Sequence, residues 1–358
     1  MRVGVVTTSY PRAPGDPAGN FVAGFARWLA RTHAVEIVAA GPGADRDGDL
    51  PIHRVGLGAG LFYDEGAPDR LERDRMQLAR APLFTAALLA ATRRHRWDRV
   101  VSHWLLPCGV VAATLRLPHL AIAHSADVHL AARPLVADAV AAVLARSRVV
   151  FVAEHLRRRF VSELRIQRLD RSLVCPMGID LPGARDRAAA RARFGLAPGE
   201  PTVAFLGRRV PIKGLDVLAA AMRRLPGVTL LVAGGGHAPA PGRVLGELRG
   251  DARDDLLAAA DVLALPSLPQ HGRTEGAPMV LVEALAAGLP VVASDLPGIR
   301  ETAGGAVRLV PPGAAGALAA ALRATLDDPP DPARGRAVAA LRSWDAIGPV
   351  LHDALMTV

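Results

Sequence analysis

Arg273-Thr274-Glu275-Gly276-Ala277-Pro278-Met279-Val280-Leu281-Val282-Glu283-Ala284-Leu285-Ala286-Ala287-Gly288 has the form of a loop running into a helix. Gly276 and Pro278 mark its start, because a proline in the first helical turn gives up an N–H that has no partner there anyway. Gly288 and then Pro290 mark its end. Glu275 therefore falls in the loop just before the helix. Glu283 falls inside it, about a turn and a half on at ~1.5 Å per residue. A helix N-terminus presents unpaired N–H groups to an anion or a polar ligand. An unpaired buried carboxylate costs several kcal/mol, so Glu283, in an otherwise apolar run, either reaches a rim or meets a partner. Read without its surroundings, the window equally describes a capping acid followed by a solvated one.

Outward from this segment the chain alternates strand and helix. Residues 202–207 read as a strand, 208–214 as a basic loop and 215–225 as a helix. Residues 228–233 form a strand that ends in Gly234-Gly235-Gly236. A short strand at 244–248, a helix at 254–260 and a strand at 261–266 lead to the Glu275 loop. Strands at 291–294 and 306–310 and helices at 314–326 and 334–357 follow it. The first half has the same rhythm, with strands at 2–8, 34–40, 52–55, 99–104, 120–127, 149–153 and 172–175. Phe21, Phe25, Trp28 and Leu29 recur at helical spacing after a Gly/Pro-rich loop at 12–19. Residues 56–75 are Gly-rich and then charged, and read as a loop. Strands separated by helices imply parallel doubly wound sheets with ligands at the strand C-terminal ends. Pro182-Gly183 and an Ala/Arg-rich helix mark a boundary. Residues 1–183, with a terminal helix at about 343–358, make one Rossmann-like domain and 184–342 a second.

Composition sets the class. With 358 residues, two domains are the expectation. A hydrophobic content of 51% without an 18-residue apolar run describes a water-soluble chain. Met1 leads directly into a strand pattern, so export is not expected. Cys108 and Cys175 stand in apolar surroundings, as free thiols of a reducing, cytoplasmic compartment do. The net charge is +9, and its excess lies early: residues 1–183 hold 24 basic against 17 acidic residues, residues 184–358 only 19 against 17. Arg157-Arg158-Arg159, with Arg165, Arg168 and Arg171, is the densest run. It admits peripheral contact with an anionic inner membrane face, or simply a solvated helix face. Aromatics at 4% leave little for base stacking, which argues against nucleic acid.

The candidate ligands gather at strand ends. Of 43 basic residues only Lys213 is lysine, which hints at a site needing a compact point charge. Arg208 and Lys213 flank the first strand-to-helix loop of the second domain and together would neutralise a diphosphate. Gly236 closes the next loop, and Glu283 could accept two ribose hydroxyls. In the first domain Gly19 and Asn20 sit where a phosphate can be cradled, although no GxGxxG is present. His103 and His124 stand at strand ends. His103, His119, His124 and His129 show no metal-ligand spacing with Cys or acids.

In order and spacing these residues resemble family 4 glycosyltransferases of the GT-B fold, nearly end to end. Phe205-Leu206-Gly207-Arg208 with Lys213-Gly214 resembles that family's diphosphate site. Glu275 and Glu283 resemble its paired glutamates, and Ala260-Asp261-Val262 with Pro266-Ser267 the strand before them. His124-Ser125-Ala126-Asp127-Val128, Met177-Gly178-Ile179-Asp180 and Trp344 complete the likeness. The resemblance implies two Rossmann-like domains facing a cleft, the second binding the donor and the first the acceptor. It implies that the last helix crosses back to the first domain. It implies retaining, metal-independent transfer of a hexose-type sugar from a nucleotide-diphosphate sugar, UDP- or GDP-linked, with no resident cofactor. The acceptor is a hydroxyl of a glycan, a lipid-linked glycan or a small molecule. Arg208 and Lys213 hold the diphosphate in this reading, Glu283 the ribose, and Glu275 and His124 the sugar; Gly19 and Asn20 line the acceptor side.

Three departures stand out. Gly276-Ala277-Pro278 replaces a Gly-Phe-Gly common in that family, and since Pro278 cannot donate, at most the amides of Ala277 and Met279 serve the sugar. Ser125 replaces a glycine, and Met177 replaces an asparagine. A catalytically silent nucleotide-sugar-binding partner and another GT-B enzyme, such as a nucleotide-sugar epimerase, are the alternatives.

Overall fold

A computed structural model describes residues 1–62, 79–131, 134–164, 169, 171–236, 238–270 and 272–358. Residues 63–75 of the 56–75 loop, Arg165 and Arg168, and the side chain of His129 lie outside the described part. The chain divides into two units, Met1–Gly178 with Trp344–Val358, and Ile179–Ser343. The division falls a few residues before the Pro182-Gly183 turn because Ile179 already pairs with Ser343 as an isolated bridge of the second unit.

The first unit is built on strands β1 Arg2–Thr7, β2 Ala34–Ala40, β3 Arg46–Asp47, β4 Leu50–Val55, β5 Arg99–His103, β6 His119–Ala123, β7 Arg148–Phe151 and β8 Ser172–Val174. Their spatial order is β3-β4-β2-β1-β5-β6-β7-β8, parallel except for the β3/β4 pair at the edge. The second unit carries β9 Thr202–Leu206, β10 Thr229–Ala233, β11 Arg243–Gly246, β12 Val262–Leu265, β13 Val291–Ser294 and β14 Arg308–Val310. Their order is β11-β10-β9-β12-β13-β14, all parallel. Relative to chain order this is the 3-2-1-4-5-6 arrangement of a doubly wound sheet. Helices cover both faces of such a sheet, so its inner strands read as unbroken apolar runs rather than as alternation. All five residues of β9 are buried.

The topology decides where ligands meet the backbone. Chain order reverses between β1 and β5 in the first unit and between β9 and β12 in the second, which opens a crevice at the strand C-terminal ends. Gly19 and His124 lie at that end of the first sheet, and Arg208, Lys213 and Glu275 at that end of the second.

The terminal helix Trp344–Met356 belongs to the first unit. Its anchor is Trp344, 5% exposed and stacked on Phe25 at 5.9 Å between centroids. Gly24 and Gly178 make room for this ring, since a Cβ on them would come within 2.2 and 2.6 Å of the indole. Farther along the helix, His352 Nε2 lies 3.0 Å from His33 Nε2 and Asp345 pairs with Arg31 at 2.7 Å.

Several boundaries differ from the sequence reading. The strand expected at 120–127 stops at Ala123, and Ser125–Ala131 is a helix. Asp127 turns the chain there by accepting the amides of His124, Leu105 and Leu106 at 2.9, 2.9 and 3.3 Å. The helix expected over 334–357 is two helices, Pro332–Ala340 and Trp344–Met356, broken where residue 343 joins Ile179. Helix Pro297–Ala303 was not foreseen, because Gly298 obscures its pattern. Cys108 and Cys175 are buried thiols that form no disulfide. Among the described residues no helix is long and apolar enough to cross a membrane. In the basic run, Arg157 and Arg158 pair with Glu154, and Arg159 with Glu163, within one helix.

Candidate functional site

The loop after β9 carries Lys213 into position. Pro211–Lys213 forms a single 3-10 turn, and Gly214, at φ 65°, lets the chain enter helix Leu215–Met222. A Cβ at Gly214 would lie 2.0 Å from the carbonyl oxygen of Pro266, so only glycine lets the loop press against the end of β12. The Leu268 amide donates to the Ile212 carbonyl at 2.8 Å and ties the two strand ends together.

Glu275 comes from the next segment. Helix Met279–Ala286 follows it, with Pro278 at the N-cap offering no side-chain bond. The helix closes on Gly288 at φ 77°, with Leu289 N–H to Ala284 and Gly288 N–H to Leu285, the paired bonds of a Schellman end. Gly276 is buried, while Ala277 and Met279 are half-buried at the helix entry. Gly298 packs under the loop; a Cβ there would meet the carbonyl oxygens of Glu275 and Gly276 at 2.1 and 2.2 Å. Gly298→Ala should therefore displace the Glu275 backbone, at about 1–3 kcal/mol for overpacking. The melting temperature of this variant should fall accordingly.

These two segments bring the acid and the lone lysine together. Lys213 Nζ donates to Glu275 Oε1 at 2.6 Å, and Ser267 Oγ donates to the same oxygen at 2.7 Å. Only 15% of the lysine side chain and 12% of the glutamate are exposed. Burial pushes the Glu275 carboxyl up, but the Lys213 ammonium, the two hydrogen bonds and the Arg208 charge more than offset it. The carboxyl titrates below its ordinary range. Arg208 is itself exposed beside the strand end.

Glu283 meets a partner that the sequence reading did not name. Arg253, in helix Asp251–Ala259, donates to Glu283 Oε2, with both side chains mostly buried. Arg209 was also missed. Its amide donates to Gly235 at 2.6 Å and its Nε to Gly234 at 3.1 Å, bracing the triple-glycine loop. Gly234 and Gly236, at φ 139° and 121°, adopt backbone that side chains rarely allow there. An arginine next to a catalytic-looking arginine gives no local signal, and Arg253 sits on an ordinary charged helix face.

In the first unit, His124 is half-buried at the end of β6, with its ring 5.2 Å from Phe21 and 4.8 Å from Trp104. His103 lies beneath it, fully buried, with Nδ1 3.4 Å from His124 Nε2. Burial holds both imidazoles well below their usual titration range, so both are neutral. His119 does not join them; it is buried between the hydroxyls of Ser102 and Ser147 at 2.8 and 2.6 Å. At the helix Asn20–Leu29, Gly19 is the N-cap at φ 71°, and Asn20 Oδ1 accepts the Phe21 amide at 2.8 Å. The Val22 and Ala23 amides both donate to Gly19 O, at 2.9 and 3.1 Å.

The comparisons with known proteins fall on this arrangement. Residues 200–328 match the family model described as glycosyl transferases group 1. The matched stretch lies within the second unit. The D-inositol 3-phosphate glycosyltransferase of Segniliparus rotundus is 38% identical over 172 residues, covering 41% of this chain and 36% of that protein. Its counterpart in Nocardia farcinica is 40% identical over 162 residues, covering 36% and 34%. The match thus spans about a third of the length of these relatives. Among solved structures, sucrose-phosphate synthase from Thermosynechococcus elongatus aligns over 100% of this chain and 98% of its own, with TM-score 0.74 and 23% identity. Anabaena HepE in complex with UDP and glucose aligns over 100% of both chains, with TM-score 0.75 and 19% identity. These likenesses establish the GT-B fold, and the matched stretch contains Arg208, Lys213, Glu275 and Glu283.

Proposed function

We propose that the protein is a retaining, metal-independent glycosyltransferase that moves a hexose-type sugar from a nucleotide-diphosphate sugar to a hydroxyl acceptor. The observation that carries this reading is the buried Lys213–Glu275 pair, held by Ser267 at the switch point of the second unit. A diphosphate brings charge that Lys213 and Arg208 can take up, and the lysine that now serves Glu275 then serves both. Glu275, kept ionised, stabilises the positive charge that develops at the anomeric carbon. Glu283, steered by Arg253, accepts the ribose hydroxyls. The amides of Ala277 and Met279 face the sugar, and the Gly234–Gly236 loop lets backbone approach the donor closely. His124 contacts a hydroxyl of the sugar, and Gly19 and Asn20 line the acceptor side.

In the step itself, the bond from the anomeric carbon to the phosphate oxygen breaks, and a bond from the acceptor oxygen forms on the same face. The acceptor's proton passes to the departing phosphate. The protein contributes charge and position rather than a covalent intermediate. Retention is checked by the anomeric configuration of the first-formed product, and metal independence by a rate unchanged in chelator.

Thermal-shift titration with UDP, GDP, ADP and TDP tests the donor side. A nucleotide at a hundredfold excess over Kd stabilises the fold by ~2.7 kcal/mol. UDP is the first candidate. Glu283→Ala should weaken the responding nucleotide by at least tenfold, since each lost bond to a charged group is worth about 1.5–3 kcal/mol. A response to none of the four, together with no turnover of any donor, would remove this reading.

A further inference from the structure

Glu36, His53 and His95 each offer one ligand atom, and these atoms all lie within 4.8 Å of one another. They come from three separate segments of the first unit. Glu36 is on β2 and His53 on β4, where His53 is the partner of Val38, so Glu36 and His53 leave the same face of neighbouring strands. His95 comes from the turn that leads into β5.

We propose that these three residues bind a divalent transition-metal ion of the Zn2+ kind. Two imidazoles and one carboxylate are a set that such ions take, with water in the fourth position. The His95 Nδ1 to Glu36 Oε2 distance is 2.9 Å, short enough for both atoms to reach one ion. The His53 and His95 rings lie 4.3 Å apart between centroids. His53 is exposed, which supplies an entry path and room for water.

The surroundings already hold the ligands still. Arg2 occupies Glu36 Oε1 at 3.1 Å, leaving Oε2 turned to the histidines. Trp97 Nε1 donates to that Oε2 at 2.8 Å, and the indole stacks on the His95 ring at 5.0 Å and 8°. Trp97 is fixed in turn over Gly4, where a Cβ would come within 2.1 Å of it. Such outer contacts orient metal ligands and tune their affinity. Glu36 and His95 lie near the strand N-terminal ends, whereas Gly19 and His124 lie near the C-terminal ends. The ion would therefore staple β2, β4 and the approach to β5 without entering the transfer reaction.

The test is calorimetric titration of the untagged full-length protein with Zn2+ at neutral pH, paired with the visible spectrum of Co2+. One equivalent should bind, and Co2+ should develop the intense absorption of low-coordinate sites. His53→Ala and His95→Ala should each weaken binding roughly tenfold or more and remove that absorption. His352→Ala, in the His33–His352 pair, should leave the equivalent intact. His53 is exposed, so His53→Ala keeps the fold and the result can be read directly. Wild-type protein that binds no stoichiometric metal, or a His53→Ala/His95→Ala double variant that binds as wild type does, would overturn the proposal.

Discussion

Lys213→Ala is expected to abolish the nucleotide-induced rise in melting temperature and to cut the transfer rate by roughly a hundredfold to a thousandfold, the usual loss when one preorganised charge-stabilising donor is removed. It should also destabilise the protein by about 3–5 kcal/mol, because Glu275 stays behind as a buried charge without its cation. The pH dependence separates these effects. In the wild type, Glu275 titrates below its ordinary value, so its contribution is present above the unfolded carboxyl pKa and is lost as pH falls through the folded one. Without Lys213, burial dominates and raises the carboxyl. The folded state then binds the proton more tightly, so the variant gains stability as pH falls toward the unfolded carboxyl pKa and loses it as pH rises through the raised one. Melting curves across the acidic range check this reversal. Lys213→Arg should not restore the rate, since a planar fork does not fit where a compact ammonium meets Oε1. A Lys213→Ala protein with wild-type nucleotide response and turnover would sink the assignment.

Trp344→Ala should lower the stability of the first unit by about 3–5 kcal/mol, the range for deleting a buried aromatic ring. For a unit of this size that is a fall of roughly 6–20 °C. The ring lies between Phe25 and two glycines whose missing side chains are its space, so no neighbour can move in to fill the hole. Calorimetry should show one transition moving away from the other, because the second unit holds its own core. A shift of less than about 3 °C would mean that the terminal helix is not anchored through this residue.

The sequence carried the alternation of strand and helix, the two sheets, the helix that closes on Gly288 and the isolation of a single lysine. These are local signals: apolar runs set by parallel strands, glycine where φ must be positive, proline where a donor is not needed. The placement of partners was not legible. Lys213 and Glu275 stand 62 positions apart, and only the neighbouring of β9 and β12 brings them to 2.6 Å. Arg253 finds Glu283 across 30 positions, and Asp127 gathers amides from 21 and 22 positions upstream. The His53–Glu36–His95 group shows no ligand spacing along the chain because two strands and a turn supply it. The periods of helix and strand reach only a few residues. Which strand lies beside which is settled by how the whole sheet packs, and that packing chooses the partner of each charged side chain.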